Sequence, residues 1–170
     1  MIRRPVIDDL NDLETFFLLV IKDTYEKEGL GHLEEDISNE VNEKMNFIKE
    51  DIEGKADNRY FLLSIKDDKI VGSAAYGPSG HLIYDHMPEL KDVLELGSVL
   101  VDPNYQGQGI GSDLVSAILT QLKTFKSDFC LDSGYTIAKK IWTKRFGQPS
   151  KVLKDFWGPG YDHYIWHRNL

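Results

Sequence analysis

Gln106-Gly107-Gln108-Gly109-Ile110-Gly111 separates an apolar run, residues 96–101, from a segment patterned as a helix. The run closes on Asp102-Pro103. After the glycines, apolar residues recur at Ile110, Leu114, Val115, Ile118, Leu119, Leu122 and Phe125. Returns of three and four residues predict one face of an amphipathic helix. A strand, a glycine turn and a helix start, in that order, bring backbone N–H groups without helical acceptors and the positive end of a helix dipole to one place. Such a place binds phosphate. Glycine matters there because a Cβ blocks the approach of ligand oxygens and disfavours positive φ.

Two common phosphate loops are excluded. No Gly-Lys-Ser/Thr follows the glycines, so no P-loop lysine reaches a β- or γ-phosphate. The glycines fall as Gly-x-Gly-x-Gly, not as the dinucleotide G-x-G-x-x-G, and the strand lies late in the chain. The pattern Gln/Arg-x-x-Gly-x-Gly/Ala does fit, with Gln106, Gly109 and Gly111. Together with Glu95-Leu96-Gly97-Ser98-Val99-Leu100-Val101-Asp102-Pro103-Asn104-Tyr105, it resembles the acetyl-CoA-binding motif of the GCN5-related N-acetyltransferase (GNAT) superfamily. The bland alternative is a glycine turn that only joins strand to helix.

At 170 residues the chain predicts one domain, 1–170, with a core that needs no staples. Its one cysteine, Cys130, cannot form an intrachain disulfide. The first residues lack the apolar stretch of a signal peptide, and the longest apolar burst, residues 16–21, is far too short to span a membrane. A cytoplasmic protein without a membrane partner is the expectation. The net charge of −8 argues against a nucleic-acid surface. It tilts slightly toward a cationic acceptor, although solubility explains it equally well.

Along the chain, residues 2–6 read as an edge strand. Asp8, Asp9 and Asn11 offer N-cap oxygens, with Asn11-x-x-Glu14 resembling a capping box before a helix through Leu13, Phe17, Val20 and Ile21. A second helix spans about 34–52, with Ile37, Val41, Met45, Ile48 and Ile52 on one face. Residues 59–65 and 70–76 read as a hairpin around Lys66-Asp67-Asp68-Lys69. Residues 81–92 show no period. After the glycine loop and its helix, 127–132 reads as a strand. Ser133 or Thr136 then caps a helix carrying Ile137, Ala138, Ile141, Trp142 and Phe146, and 152–157 with 163–167 form a closing strand pair.

This order, β-α-α-β-β-β-α-β-α-β-β, is the one the resemblance demands. It implies an α/β fold with a GNAT-like mixed, mostly antiparallel central sheet and helices on both faces. It also implies an enzyme that moves an acetyl group from acetyl-CoA, the co-substrate, directly to a primary amine, with no metal. The diphosphate then sits over backbone N–H groups of Gly107, Gln108, Gly109, Ile110, Gly111 and Ser112, and Gln106 holds the loop. The pantetheine arm pairs with Val99, Leu100 and Val101 as an added strand. Glu95 stands where relatives carry a general base acting through water. Relatives place a tyrosine on the following helix to protonate the sulfur, but here that position is Trp142, and the Gly-Phe of the motif is reversed as Phe146-Gly147. Indole has no usable acidity. Tyr135 by substitution, Tyr84, Tyr76 or water then supplies the proton.

A small-molecule amine is the expected acceptor, with a protein amine as the alternative and a homodimer compatible with the sequence. A non-catalytic acetyl-CoA-binding module is the rival from another class, motivated by Trp142 and Tyr135. A nucleotide-binding protein is disfavoured by the missing lysine and the glycine spacing. His81 and His86 lack a third metal ligand, His163 and His167 read as strand residues without a role, and Cys130 reads as a small buried hydrophobe. The acidic residues of the second helix read as a solvated face.

Overall fold

A computed structural model describes residues 1–55 and 58–170. The chain forms two compact units, Met1–Tyr76 with Gly97–Gln121, and Gly77–Leu96 with Leu122–Leu170. In chain order the elements are β1 (Ile2–Arg3), α1 (Leu10–Lys27), α2 (Glu34–Ile52), β2 (Tyr60–Lys66), β3 (Lys69–Pro78), α3 (His81–His86), β4 (Leu94–Val101), α4 (Ile110–Lys123), β5 (Asp128–Ser133), α5 (Thr136–Phe146), β6 (Lys151–Leu153) and β7 (His163–Asn169). The fold is mixed α/β, as the sequence predicts, with one helix more.

The first unit carries strands in the order β1-β2-β3-β4. The hairpin β2–β3 is antiparallel and turns at Asp67 and Asp68, both left-handed at φ 51° and 58°. Two consecutive left-handed residues make the tight turn whose twist matches that of the strands, and aspartate tolerates the conformation. α1 packs on α2, and Leu13, Phe17, Val20 and Ile21 of α1 and Ile37, Val41, Met45 and Ile48 of α2 are all buried. α4 seats on β3 at Gly72, where an added Cβ would lie 2.8 Å from Ile110 and 2.9 Å from Leu114. That close approach fixes where the first turn of α4 begins.

Ion pairs in this unit explain two departures from expectation. β1 stops at Arg3 rather than residue 6, because Pro5 has no N–H to give a ladder and Arg4 turns to Asp51 at 2.6 Å. Asp51 also accepts the N–H of Phe61 at 2.9 Å, and Arg4 donates to the Phe61 carbonyl at 3.0 Å. So α2 buries Asp51 at its end, and Ile52 is only half-buried. α1 begins one residue before Asn11, with Asp9 at the cap position. Asp9 uses its carboxylate elsewhere: it takes both guanidinium nitrogens of Arg3 at 2.8 Å and the N–H of Val6 at 2.8 Å.

The second unit carries the start of β4, then β5, β7 and β6. β4 pairs in parallel with β5 at Glu95↔Cys130, and β5–β7 and β7–β6 are antiparallel. One face of this sheet packs Cys130 and Ile165 against Ile83 and Leu90. Ile83 belongs to α3, which the aperiodic stretch 81–92 did not predict. A six-residue helix is too short to display a 3.6-residue period, and packing rather than propensity holds it. α5 has neither a Ser133 nor a Thr136 cap; Tyr135 is its N-cap, and the Ser133 hydroxyl accepts the Tyr135 N–H at 3.3 Å. α5 buries no residue, so Ile137 and Ile141 point to solvent rather than to a core. β6 is only three residues, and Phe156 and Trp157 lie in the turn that follows it.

The Arg3 hydrogen bonds, ahead of an opposing desolvation, hold the Asp9 carboxyl below its ordinary range. A carboxylate with a lowered folded pKa stabilises the protein above the unfolded value near ~4, and that contribution disappears as pH falls through the folded value. Asp9→Asn is therefore expected to cost about 1–3 kcal/mol at neutral pH. It should also shrink the gap between the thermal midpoints at neutral and acid pH, read by calorimetric scans across that range.

Candidate active site

The glycine loop lies in the first unit. Asp102 ends β4 by giving its N–H to the Val71 carbonyl at 2.9 Å, and its carboxylate accepts the Asn104 N–H at 2.8 Å. The chain then turns through Pro103–Tyr105 into the loop. Gly107 and Gly109 are left-handed at φ 77° and 83°, and a Cβ on either would meet no atom within 4 Å. Packing therefore does not demand glycine here; the backbone conformation does. Gly111 is different, since its Cβ would touch Val101 at 3.4 Å. The first intrahelical bond runs from Asp113 N–H to the Gly109 carbonyl at 2.9 Å. The N–H groups of Ile110 and Gly111 thus have no carbonyl one turn back to bond. Residues 106–109 are exposed.

Two side chains brace this loop from distant parts of the unit. Gln106 gives its amide N–H to the Val101 carbonyl at 3.2 Å, and its amide oxygen accepts from Lys27 at 3.3 Å. Gln108 accepts from Lys66 at 2.9 Å. Two ammonium groups so flank the glycines in a chain of net charge −8, and Lys27 is at the same time paired with Asp23 at 2.7 Å. Gln108 and Ile110 also line a cavity of about 340 Å³ with Ser64, Lys66 and Asp113. Main-chain donors, a helix start and two cations suit anionic oxygens, so these residues fit a diphosphate.

Upstream, Ser98 is left-handed at φ 51°, and the Ser73 hydroxyl donates to its carbonyl at 2.7 Å. A left-handed non-glycine residue inside a strand marks a bulge that bends it. The bend comes just before Val99, Leu100 and Val101, which are half-buried.

Glu95 and Tyr135 lie in the second unit. Glu95 is half-buried, and its Oε1 would stand 3.7 Å from a Cβ on Gly80. Tyr135 is half-buried at the start of α5. Trp142 stacks on Phe146 with ring centroids 5.8 Å apart. Tyr84 is half-buried on α3. Tyr76, in the first unit, stacks flat on Tyr60, and burial raises its phenol above the ordinary value. A weaker acid is a poorer proton donor, which counts against Tyr76.

The second unit holds a constellation that the sequence reading missed. His163 is 5% exposed. Its Nε2 lies 2.8 Å from Asp132 Oδ2, and Trp157 Nε1–H points to its Nδ1 at 3.1 Å. Indole only donates, so Nδ1 accepts and the ring proton sits on Nε2, facing the carboxylate. Gly134 makes room for this, since a Cβ there would lie 2.5 Å from Trp157 Nε1 and 3.0 Å from His163 Nδ1. Asp132 lies thirty-one residues before His163, and Trp157 six before it; the local sign in the sequence is Gly134, next to a strand end. At the other end of β5, His167 makes a like pair with Asp128 at 2.8 Å. Among the described residues no group of three or more His, Cys, Asp or Glu could hold a metal ion, and no helix is long and apolar enough to cross a membrane.

Comparison with known proteins identifies the class. The sequence profile of the Acetyltransferase (GNAT) family matches residues 20–147, and the chain belongs to that family. The fold is similar to that of a PaiA N-acetyltransferase from Thermoplasma acidophilum solved in complex with coenzyme A. The two share 21% identity and a TM-score of 0.70, over 100% of this chain and 98% of that one. A ribosomal-protein-alanine N-acetyltransferase from Brucella melitensis shares 21% identity and a TM-score of 0.68, over 100% and 99% of the two chains. An N-acetyltransferase from Staphylococcus aureus shares 15% identity and a TM-score of 0.69, over 99% and 97%. No curated protein matches the chain.

Gly134→Ala drives a methyl group into the Trp157 indole. It should release Trp157 from His163 and destabilise the fold by about 1–3 kcal/mol. Denaturant melts and a shift in tryptophan emission check this; unchanged stability and emission would contradict the close approach.

Proposed function

We propose that this protein transfers the acetyl group of acetyl-CoA to a primary amine of a small molecule. The observation that carries the reading is the exposed glycine loop at the start of α4, with left-handed Gly107 and Gly109, in a chain of an acetyltransferase family. When bound, acetyl-CoA supplies an activated thioester carbonyl. Main-chain N–H groups of residues 107–112 grip the diphosphate, and Gln106 keeps the loop in place. Val99, Leu100 and Val101 offer main-chain groups to the pantetheine amides, and one N–H of this segment serves the oxyanion. The bulge at Ser98 supports this, since it turns the strand just before those residues.

The acceptor arrives as an ammonium, with a pKa near ~10 and no lone pair to attack with. Glu95 accepts its proton through a water. Tyr135 protonates the leaving sulfur. The acidic balance of the chain favours a cationic acceptor by attraction and speaks against nucleic acid; the enzyme of this proposal is cytoplasmic and uses no metal. A protein amine is the second reading, because the similar Brucella melitensis protein is named for a ribosomal-protein alanine.

Thiol release from acetyl-CoA across a panel of amines tests the reading, with turnover of at least one small amine expected. Tight acetyl-CoA binding with no turnover of any amine would favour a binding module, and ATP binding in place of acetyl-CoA would overturn the proposal. Gly109→Val, which strains a φ of 83°, is expected to weaken coenzyme A binding roughly 10- to 100-fold, as one or two lost charge-assisted hydrogen bonds would. Isothermal calorimetry reads it. Glu95→Gln should lower kcat at least ~10-fold with coenzyme A affinity unchanged. Equal rates for parent and variant across the pH range would remove Glu95 as the base.

A further inference from the structure

We infer that Asp132 and His163 form a proton-accepting pair for the acceptor amine, and that the Trp157 indole N–H holds the place of the amine's own N–H. The inference rests on the transferase reading above, in which Glu95 takes the proton of the incoming ammonium, and adds to it an acceptor for the second proton, the one the positively charged nitrogen still carries once it attacks the thioester.

Strand register places the pair on the same sheet face as Glu95. Glu95 is opposite Cys130, Cys130 is opposite His167, and Asp132 and His163 lie two and four residues away along their strands. Side chains at even spacing share a face. The pair thus ends the stripe that Glu95 begins, beside the apolar cluster of Ile83, Leu90, Cys130 and Ile165.

The geometry fixes the chemistry of the ring. Asp132 takes the Nε2–H at 2.8 Å, which leaves the Nδ1 lone pair as the one basic position of His163. A carboxylate that orients the imidazole and stabilises the imidazolium is the arrangement that makes histidine a base. Trp157 Nε1–H fills that position at 3.1 Å, but an indole gives up no proton. Trp157 is 57% exposed, so it can leave without opening the core. Its turn is held by Asp155 N–H to Asp162, Gly160 N–H to Asp155, Lys139 to the Asp162 carbonyl and main-chain bonds that include Trp157 N–H to the Tyr161 carbonyl at 3.0 Å, so only the indole side chain has to move. An ammonium N–H has the same donor polarity as the indole and is far more acidic. When it replaces the indole, the amine's N–H bond breaks, its electron pair stays on nitrogen, and Nδ1 forms the new N–H bond. The resulting imidazolium faces Asp132, and the proton passes to solvent.

The charged or titratable groups around the ring are Asp132 on β5, His86 of α3 across Phe156, and Asp162 with Lys139 beside the strand start, while the uncharged rings of Trp157 and Phe156 lie against it. Glu95 and Asp128 lie on the same face beyond Cys130.

Two measurements test the inference. The first is nitrogen NMR of the histidine side chains in the protein without ligand. It should show neutral His163 with its proton on Nε2, and the Nδ1–H tautomer would overturn the pair. The second is kcat/KM against pH for parent, His163→Gln, Trp157→Phe and Glu95→Gln, on an amine that the parent acetylates. An acidic limb in the range where imidazoles titrate, roughly pH 5–8, is expected in the parent and in Glu95→Gln. His163→Gln should lose that limb and fall at least ~100-fold. Trp157→Phe should keep the limb and lower KM for the amine. A merely structural histidine would lower thermal stability in His163→Gln and leave the limb intact, which overturns the inference while the transferase reading stands. If the parent acetylates no amine, the transferase reading falls and this inference falls with it.

Discussion

A helix start leaves N–H groups that no carbonyl of its own can satisfy, and where the first turn of α4 lies decides what can satisfy them. The absent Cβ of Gly72 sets that position, because Ile110 and Leu114 occupy its space on β3. Left-handed Gly107 and Gly109 then bring the chain into the helix with its main chain outward. Strand, loop and helix are therefore one mechanical piece. A change at β3 would move the loop and the first turn of α4 as surely as a change in the loop itself.

The loop's surroundings add what backbone alone cannot. Lys27 comes from the end of α1 and Lys66 from the end of β2, and each meets a glutamine of the loop. An acidic chain would otherwise repel a polyanion such as a coenzyme. Lys66 and Lys27, the latter also paired with Asp23 at 2.7 Å, bring positive charge to the loop, and its effect reaches roughly 8–10 Å in physiological salt.

The legible part of the fold was the part with local causes. The run before the glycines, the periodic helix after them, the 34–52 helix and the hairpin could each be read from a dozen neighbouring residues. α3 escaped because six residues cannot show a period, whereas α5 stands as the helix that was read, with Tyr135 in place of the expected cap and with Ile137 and Ile141 exposed. Ion pairs across long sequence separations, Arg4 with Asp51 above all, trimmed β1 and buried an aspartate where Ile52 was expected. The candidate site divides the same way. Gln106 through Ser112 announce themselves by spacing. Asp132, Trp157 and His163 do not, because only the pairing of β5 with β7 brings an aspartate and a histidine thirty-one residues apart to 2.8 Å. Alternation with Tyr164 and Trp166 made His163 look like ordinary strand filling, and its partner's identity is what changes that view.

The central claim is that main-chain N–H groups at the start of α4 hold the diphosphate of a coenzyme A thioester. A crystal structure of the protein grown with coenzyme A tests it most directly. The account requires diphosphate oxygens within hydrogen-bond distance, about 2.7–3.2 Å, of main-chain nitrogens of residues 107–112. A diphosphate bound on any other part of the chain would contradict it.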